Sequence, residues 1–300
     1  MTKAFKVGDK DPYISKIQLA LNYKIGSESA STMPDKAYLT GDGDFGPKTR
    51  NALMAFQKSI GIEQTGFYDA KTQSALDPYI AGKFVTDDDL KAAATNLQVE
   101  LNCVRAVTEV EAKGSGYFPN GSPKILFERH VFRQQLLKLM KSSTQVAVDV
   151  AKRLGVASTG VAGPDINLLD HTMSMINADI YYETPGGYQG GVAEYTRLSK
   201  AKAFGETAAF SSASWGMFQI MGYHFPKLGY KSVQDMVIAS QDSEKNHLKD
   251  FVAFLKSDPR LVPAMRDKNF TAFALAYNGP AQRGYDVKMK EAYEKYSRLG

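Results

Sequence analysis

Two short patterns, each present twice, constrain the first 80 residues more than any other feature of the chain. Ile14-x-x-Ile17-Gln18-x-x-Leu21 recurs as Leu53-x-x-Phe56-Gln57-x-x-Ile60, and Gly43-Asp-Phe45-Gly-Pro-Lys48-Thr49 recurs as Gly66-Phe-Tyr68-Asp-Ala-Lys71-Thr72. Internal repetition at this scale means one small supersecondary unit used twice. The first pattern is a helical stripe with a glutamine beside its middle apolar residue; the second is a glycine turn, an aromatic and the start of a helix. Pro47 suits a first helical turn, where its missing N–H costs nothing. The spacing predicts three short helices, at about 12–25, 47–60 and 70–77, joined by glycine-bearing turns. In a unit this small, Phe45, Phe56 and Tyr68 are expected to pack in the core rather than to touch a ligand.

The combined pattern resembles the three-helix type of peptidoglycan-binding module. That family carries an Asp-Gly-x-Phe-Gly-x-x-Thr turn, here Asp42 to Thr49, a Phe-Gln pair, here Phe56-Gln57, and a Thr-Gly-x-x-Asp-x-x-Thr close, here Thr65 to Thr72. The resemblance implies that the segment holds cell-wall glycopeptide, with Asp42, Asp44, Phe45 and Thr49 as contact residues. The insert Ser27–Tyr38 is longer than the usual loop of such modules. Asp77-Pro78 and the cluster Asp87–Asp89 interrupt the periodicity, which places a linker at 81–90 between a module at 1–80 and a second domain at 91–300.

Thirty-seven basic against 32 acidic residues give a net charge of +5, a mild balance that favours anionic partners without choosing one. No dense Lys/Arg block stands in the chain, so nucleic acid is not an expected partner. The single Cys103 lies in an apolar helical run and reads as a packed, inert thiol. No Cys/His spacing suggests zinc, and neither metal nor cofactor is expected. The first ten residues lack the apolar core of a signal peptide, and no apolar run is long enough for a bilayer, so self-export and membrane insertion are not expected.

Chemistry in the second domain centres on Ala106-Val-Thr-Glu-Val-Glu111-Ala-Lys-Gly-Ser-Gly116, which ends the helical run 90–112. Leu101, Val104, Val107 and Val110 form an apolar face with Glu111 on or beside it. Such a carboxylate is either a desolvated acid of raised pKa or the partner of a lysine. After a loop at 114–123, Glu128 stands in Ile125-Leu-Phe-Glu-Arg-His130-Val-Phe132, either as a second active carboxylate or paired with Arg129 or His130. Helices are expected at 130–154, 194–210, 232–256, 260–277 and 284–298, with loops over 156–192 whose tyrosines could stack on sugars. Trp215 and Gln219 fall in Ser214-Trp-Gly-Met-Phe-Gln-Ile-Met221, where the amide needs partners from either backbone or ligand. Tyr277-Asn278-Gly279 fits a helix end, so a capping role competes with a functional one for Asn278.

Taken in order, Val110-Glu111-Ala112, Gly216 to Met221 and Tyr277 to Gly279 resemble the goose-type lysozyme and lytic transglycosylase pattern of the lysozyme-like superfamily. The runs around Glu128 and Trp215 are similar still more closely to phage N-acetylmuramidases, in which a wall-binding module commonly precedes the catalytic domain. The resemblance implies a mainly α, two-domain, monomeric phage endolysin that hydrolyses the β-1,4 bond between N-acetylmuramic acid and N-acetylglucosamine in bacterial peptidoglycan. It implies Glu111 as general acid, Glu128 as the second carboxylate, and Trp215, Gln219, Tyr277 and Asn278 lining the cleft. Glu109, Asp165 and Asp170 are the other candidates for the second carboxylate. A retaining glycosidase needs its carboxyls about 5–5.5 Å apart and an inverting one about 6.5–9.5 Å. Without either arrangement, attack by the substrate's own 6-hydroxyl would give the 1,6-anhydro product of a lytic transglycosylase. Ala112 departs from the superfamily's usual serine, and a noncatalytic wall-binding phage component is the reading from another class. The resemblance also implies residence in the host cytoplasm until a holin opens a route to the periplasm and wall.

Overall fold

The computed structural model describes residues 3–28, 39–112, 115–157, 163–280 and 284–299. Most of the insert at 27–38 therefore lies outside the described residues. The small unit is built from α1 (Pro12–Glu28), α2 (Pro47–Ser59) and α3 (Ala70–Lys83). Its core holds Ile14, Ile17, Leu21, Phe45, Leu53, Phe56 and Tyr68, so the first stripe faces inward whole and the second up to Phe56, its last residue Ile60 standing exposed past the end of α2.

The duplication extends to individual atoms. Gln18 Nε2 donates to Asp42 Oδ1, the Asp44 carbonyl and Thr49 Oγ1, while its Oε1 accepts from Gly43 N–H. Gln57 Nε2 donates to Thr65 Oγ1, the Phe67 carbonyl and Thr72 Oγ1, while its Oε1 accepts from Gly66 N–H. Each buried amide thus spends its donors and acceptor on one loop, and each loop needs a glycine at positive φ, 81° at Gly43 and 67° at Gly66. Phe45 and Thr49 are buried as parts of this clamp, which corrects their expected role as wall contacts; Asp42 and Asp44 remain exposed. Burial and hydrogen bonding exhaust the Phe45 and Thr49 side chains.

The segment expected as a linker is more ordered than its composition suggests. Pro78 stands inside α3, which continues to Lys83, and after Phe84-Val-Thr86 a capping box of Thr86 and Asp89 opens α4 (Asp87–Leu97). Left-handed Gln98, at φ 55°, separates α4 from α5 (Leu101–Ala112), so the expected single helix over 90–112 is two. Similar breaks divide other long runs. Ser143 caps α7 (Thr144–Leu154) and ends α6 (Arg129–Ser142); Gly205 separates α9 (Glu194–Lys202) from α10 (Glu206–Ser211). Ser243 separates α11 (Val233–Asp242) from α12 (Glu244–Ser257), and Asn269 caps α14 (Phe270–Asn278) after α13 (Leu261–Arg266). The expected loop at 156–192 contains α8 (Ile166–Ile176), capped by the Asp165 carboxylate and anchored by buried Leu169 and Met173. The last helix is α15 (Tyr285–Leu299), which packs along α5.

A small antiparallel sheet interrupts the helices. Its strands β1 (Ile125–Phe127), β2 (Ala213–Trp215) and β3 (Ile220–Met221) lie in sequence order, with Ile125 opposite Trp215 and Trp215 opposite Ile220. The Gly-Met-Phe-Gln stretch is thus a hairpin turn rather than part of a helix. Cys103 is fully buried, and burial pushes its thiol up to about 11, as expected of a packing residue.

Candidate active site

A cleft of about 1050 Å³ runs between the end of α5, the sheet and the start of α15. A smaller recess of about 220 Å³ opens toward Tyr223, His224, Phe254 and Tyr277. Glu111, Gln219 and Asn278 line both, so the half-buried Glu111 stands where the two meet. Helical periodicity delivers Glu111 here: Val104 and Val107 on the same helix are fully buried, which orients the last turn of α5 toward the sheet.

Two tyrosines flank the carboxylate. Burial, reinforced by the charge of Glu111, pushes the Tyr277 hydroxyl well above its ordinary value, and the same two causes act on Tyr285. Both phenols therefore stay neutral donors. Tyr277 donates to the Phe218 carbonyl at 3.2 Å and is packed against Phe251, Phe254 and Phe273, a fixed wall beside Glu111. Tyr285, at the first turn of α15, has no counterpart in the sequence expectations. Only a glycine before a helix precedes it, and nothing local marks the α5–α15 contact.

Gln219 adopts a left-handed backbone, φ 49°, in the hairpin turn. Its Nε2 donates to the Gly216 carbonyl at 2.8 Å and the Lys124 carbonyl at 3.2 Å, and its Oε1 accepts from Ser214 Oγ at 2.8 Å. The amide is satisfied by the protein while its side chain lines the cleft. Asn278 is exposed at the end of α14, where Gly279 at φ 77° terminates the helix. Trp215 is not a cleft wall. It is buried at 3% exposure, its indole N–H donates to the Phe210 carbonyl at 3.0 Å, and its ring meets Phe210 edge-on. A large ring paired across the sheet with Ile125 and Ile220 gains more from the core than from solvent.

Glycine is required where the cleft wall meets α12. A Cβ at Gly116 or Gly216 would lie 2.6 Å from the His247 ring. Burial pushes His247 down to about 4, so it is neutral; its Nδ1 accepts from Met217 N–H at 3.2 Å, and its Nε2 lies 2.8 Å from the Ser240 carbonyl. One turn earlier, Glu244 accepts from Ser115 Oγ, Gly116 N–H and Val85 N–H at 2.6, 2.8 and 3.1 Å. The same carboxylate therefore ties the loop after Glu111 to the connection between the two units.

The candidates for a second carboxylate are dispersed. Glu128, just past β1, accepts from Tyr188 Oη at 2.8 Å and lies 3.3 Å from His130 Nδ1; the neighbouring Ile125 and Leu126 line the cleft, whereas Glu128 does not. Arg129 instead donates to the carbonyls of Ala178, Thr184 and Pro185. Glu109 lines the cleft but pairs with Lys295 at 2.8 Å. Asp170 is engaged by both arms of Arg133 and by Tyr181 Oη away from the cleft, and Asp165 caps α8.

One network unforeseen from sequence holds the cleft's far rim. Glu194 and Arg197 are buried and paired at 2.7 Å. Arg197 also donates to the carbonyls of Phe127, Asp179 and Gly186, and Glu194 accepts from Gln189 and Gly190 N–H. Burial pushes the Glu194 carboxyl up, but the hydrogen bonds and Arg197 outweigh it and hold it below the usual range. The loop 178–191 is thereby fixed to β1, with Gly191 at the cleft edge.

Comparison with known proteins follows this division. A model of the N-acetylmuramidase family matches residues 100–297, and one of a putative peptidoglycan binding domain matches residues 14–76. The crystal structure of Burkholderia AP3 phage endolysin is similar over 99% of this chain and 100% of its own, at 35% identity and a TM-score of 0.60. No curated protein matches the sequence. A family model that spans well over half the chain, with a solved relative similar along its whole length, leaves one assignment: the chain belongs to the N-acetylmuramidase family.

Proposed function

We propose that this chain is a phage endolysin whose 91–300 domain cleaves peptidoglycan with Glu111 as general acid and whose 1–80 module holds the wall. The observation that carries the assignment is the position of Glu111 at the junction of the two cleft parts, half-buried between neutral Tyr277 and Tyr285. A general acid must still hold its proton near neutral pH, and the aromatic wall of Tyr277, Phe251, Phe254 and Phe273 beside Glu111 keeps water from that side of the site. Protonated Glu111 donates to the glycosidic oxygen between N-acetylmuramic acid and N-acetylglucosamine. Gln219 and Asn278, on both sides of it, orient the sugars.

Glu128 is the proposed second carboxylate, held by Tyr188 and His130 just beyond the cleft-lining strand residues. Its place outside the lining favours a second reading, in which the muramic 6-hydroxyl attacks and an anhydro end forms. Mass spectrometry of digested peptidoglycan decides between them: reducing muramic ends support hydrolysis, and 1,6-anhydro ends overturn it. Glu111→Gln is expected to cut turnover of purified sacculi by at least about a thousandfold while the thermal midpoint changes little. Undiminished turnover would remove Glu111 from the chemistry. Among the described residues no helix is long and apolar enough to cross a membrane. We propose further that it acts as a monomer and reaches the wall through a separate lesion of the holin kind.

A further inference from the structure

A second cavity, of about 680 Å³, lies on the seam between the two units and is lined by both. The small unit contributes Tyr23 from α1 and Tyr79, Gly82 and Lys83 from α3; the large one contributes Asn120 to Pro123, Tyr195 and the end of α11. The seam is tied by directional bonds. Lys83 Nζ donates to the Gln241 and Asp242 carbonyls, Lys16 Nζ donates to the Val85 carbonyl, and Phe84 packs edge-on against Tyr117. The cavity is thus a feature of the docked pair and belongs to neither unit alone.

Its walls have the composition of a carbohydrate site. Tyr23 and Tyr79 are stacked at 5.1 Å with 19° between planes, and Tyr23 keeps 46% of its surface exposed. An exposed ring backed by a second ring is a rigid platform for the apolar face of a pyranose. Opposite lies the turn Asn120-Gly-Ser122, close enough that a Cβ on Gly121 would touch the Tyr23 ring at 3.4 Å. Asn120 Oδ1 accepts both the N–H and the hydroxyl of Ser122, a polar edge suited to hydroxyl and acetamido groups. The lysine of the cavity is already committed to carbonyls and packs over Tyr117 at 4.1 Å, so an anionic ligand finds no unengaged cation there.

The loop that lines the seam also lines the catalytic cleft. Phe118 and Lys124 face the cleft, Asn120 to Pro123 face the seam, and Phe118 N–H to the Ser122 carbonyl closes the turn between them. We propose that the seam cavity is a distal subsite for the N-acetylated sugars of the same glycan strand that occupies the cleft, built jointly by the wall-binding and catalytic units. The proposal rests on the glycan-cleaving reading above. A strand held at two points gains effective concentration at the second, which a short oligosaccharide cannot.

Two variants probe it by opposite means. Tyr23→Ala removes the exposed platform. Gly82→Phe fills the space, since a Cβ at Gly82 meets nothing within 4 Å and the position is helical. Each is assayed as the full chain for kcat/KM on long peptide-free glycan strands and on a cell-wall tetrasaccharide, with the affinity for long strands measured in parallel. The expected result is a fall of about fivefold to tenfold in the ratio of long-strand to tetrasaccharide kcat/KM, and a matching fall in strand affinity, at an unchanged thermal midpoint. Wild-type ratios and affinities in both variants would overturn the subsite. So would a loss seen only on strands that retain peptide stems, which would assign the cavity to peptide. Wild-type turnover of the long strands tests the cleavage reading separately: its absence would defeat that reading, while the affinities would still report on the seam.

Discussion

The two units bury polar groups in different ways. In the small one, Gln18 and Gln57 are uncharged, and all four hydrogen-bonding positions used by each amide belong to a loop within 31 residues. In the large one, the interior holds ions. Glu194 and Arg197 draw on segments up to 70 residues away, and Glu244 reaches back 129 to 159 residues to Ser115 and Val85. A neutral amide needs only shape-matched partners, whereas a buried charge also needs compensation for desolvation. The small unit can therefore be stable with little core, because its polar interior is closed locally. The large unit uses buried titratable groups to hold loops that helices alone would not position: the Glu194–Arg197 pair for the rim at 178–191, and Glu244, whose carboxyl is pushed up by burial, for the turn after Glu111.

If that difference is real, removing one ion should cost far more than removing one amide. Glu194→Ala leaves the Arg197 guanidinium buried with carbonyl partners but no anion, and frees the Gln189 and Gly190 N–H groups. The expected loss is about 3–5 kcal/mol in urea unfolding, with a raised KM for sacculi because the loop carrying Gly191 loses its tether. A loss below about 1 kcal/mol would mean the loop is held by packing and the comparison fails on the catalytic side.

Asp250 sharpens the same contrast through pH. It is 97% hidden from solvent and its partner among the described hydrogen bonds is Tyr230 Oη at 2.8 Å; burial pushes its carboxyl up to about 7. A folded pKa above the unfolded one means the native state holds the proton longer, so this group's contribution to stability falls as pH rises from about 4 to about 7. Asp250→Asn keeps the shape and removes the titration. The variant should gain on the wild type progressively across that window, by roughly 2–4 kcal/mol above pH 7, read as the difference between their unfolding free energies. A constant difference from pH 4 to 8 would show that Asp250 does not titrate there.

What could be read in advance follows the same line between local and distant. The repeat and the three helices of the small unit were legible because each clamp closes within one stretch of chain. The approach of Glu111 to a cleft was legible because Val104 and Val107 set its helix face, and the Gly216–Met221 and Tyr277–Gly279 runs supplied the resemblance. The family resemblance implied Phe45 and Thr49 as contacts, although the residues themselves favoured packing for Phe45, and the motif's spacing serves the Gln18 clamp. Trp215 was assigned to the cleft through the resemblance, and local pattern does not show that both faces of its three-residue strand are covered. The breaks at Gln98, Ser143 and Asn269 were missed because apolar periodicity continues across them; only capping side chains and left-handed residues betray the change of helix axis. Tyr285 and the Glu244 tie depend on contacts between segments far apart in sequence, which no local pattern encodes.

The smallest effect tests the duplication itself. Gln18→Leu and Gln57→Leu each delete an amide of nearly the same volume and take a partner from one glycine N–H, one loop carbonyl and one threonine hydroxyl, the fourth partner being the Asp42 carboxylate for Gln18 and the Thr65 hydroxyl for Gln57. Buried groups left without partners cost about 1–3 kcal/mol, partly offset by the apolar replacement. Three matched contacts out of four predict similar losses in the small unit's unfolding, within about 0.5 kcal/mol of each other. Both loops are bridged to the amino-terminal segment, the Gly43 loop at Lys10 and the Gly66 loop at Phe5, but the first is also hydrogen-bonded to Asp9 and Asp11, whereas the second leads into the Asp69 cap of α3. A larger loss for Gln18→Leu would show that the first clamp carries more of the amino-terminal segment than the second does. A larger loss for Gln57→Leu would locate the unit's stability in α3, the helix that runs on to Lys83 and the seam.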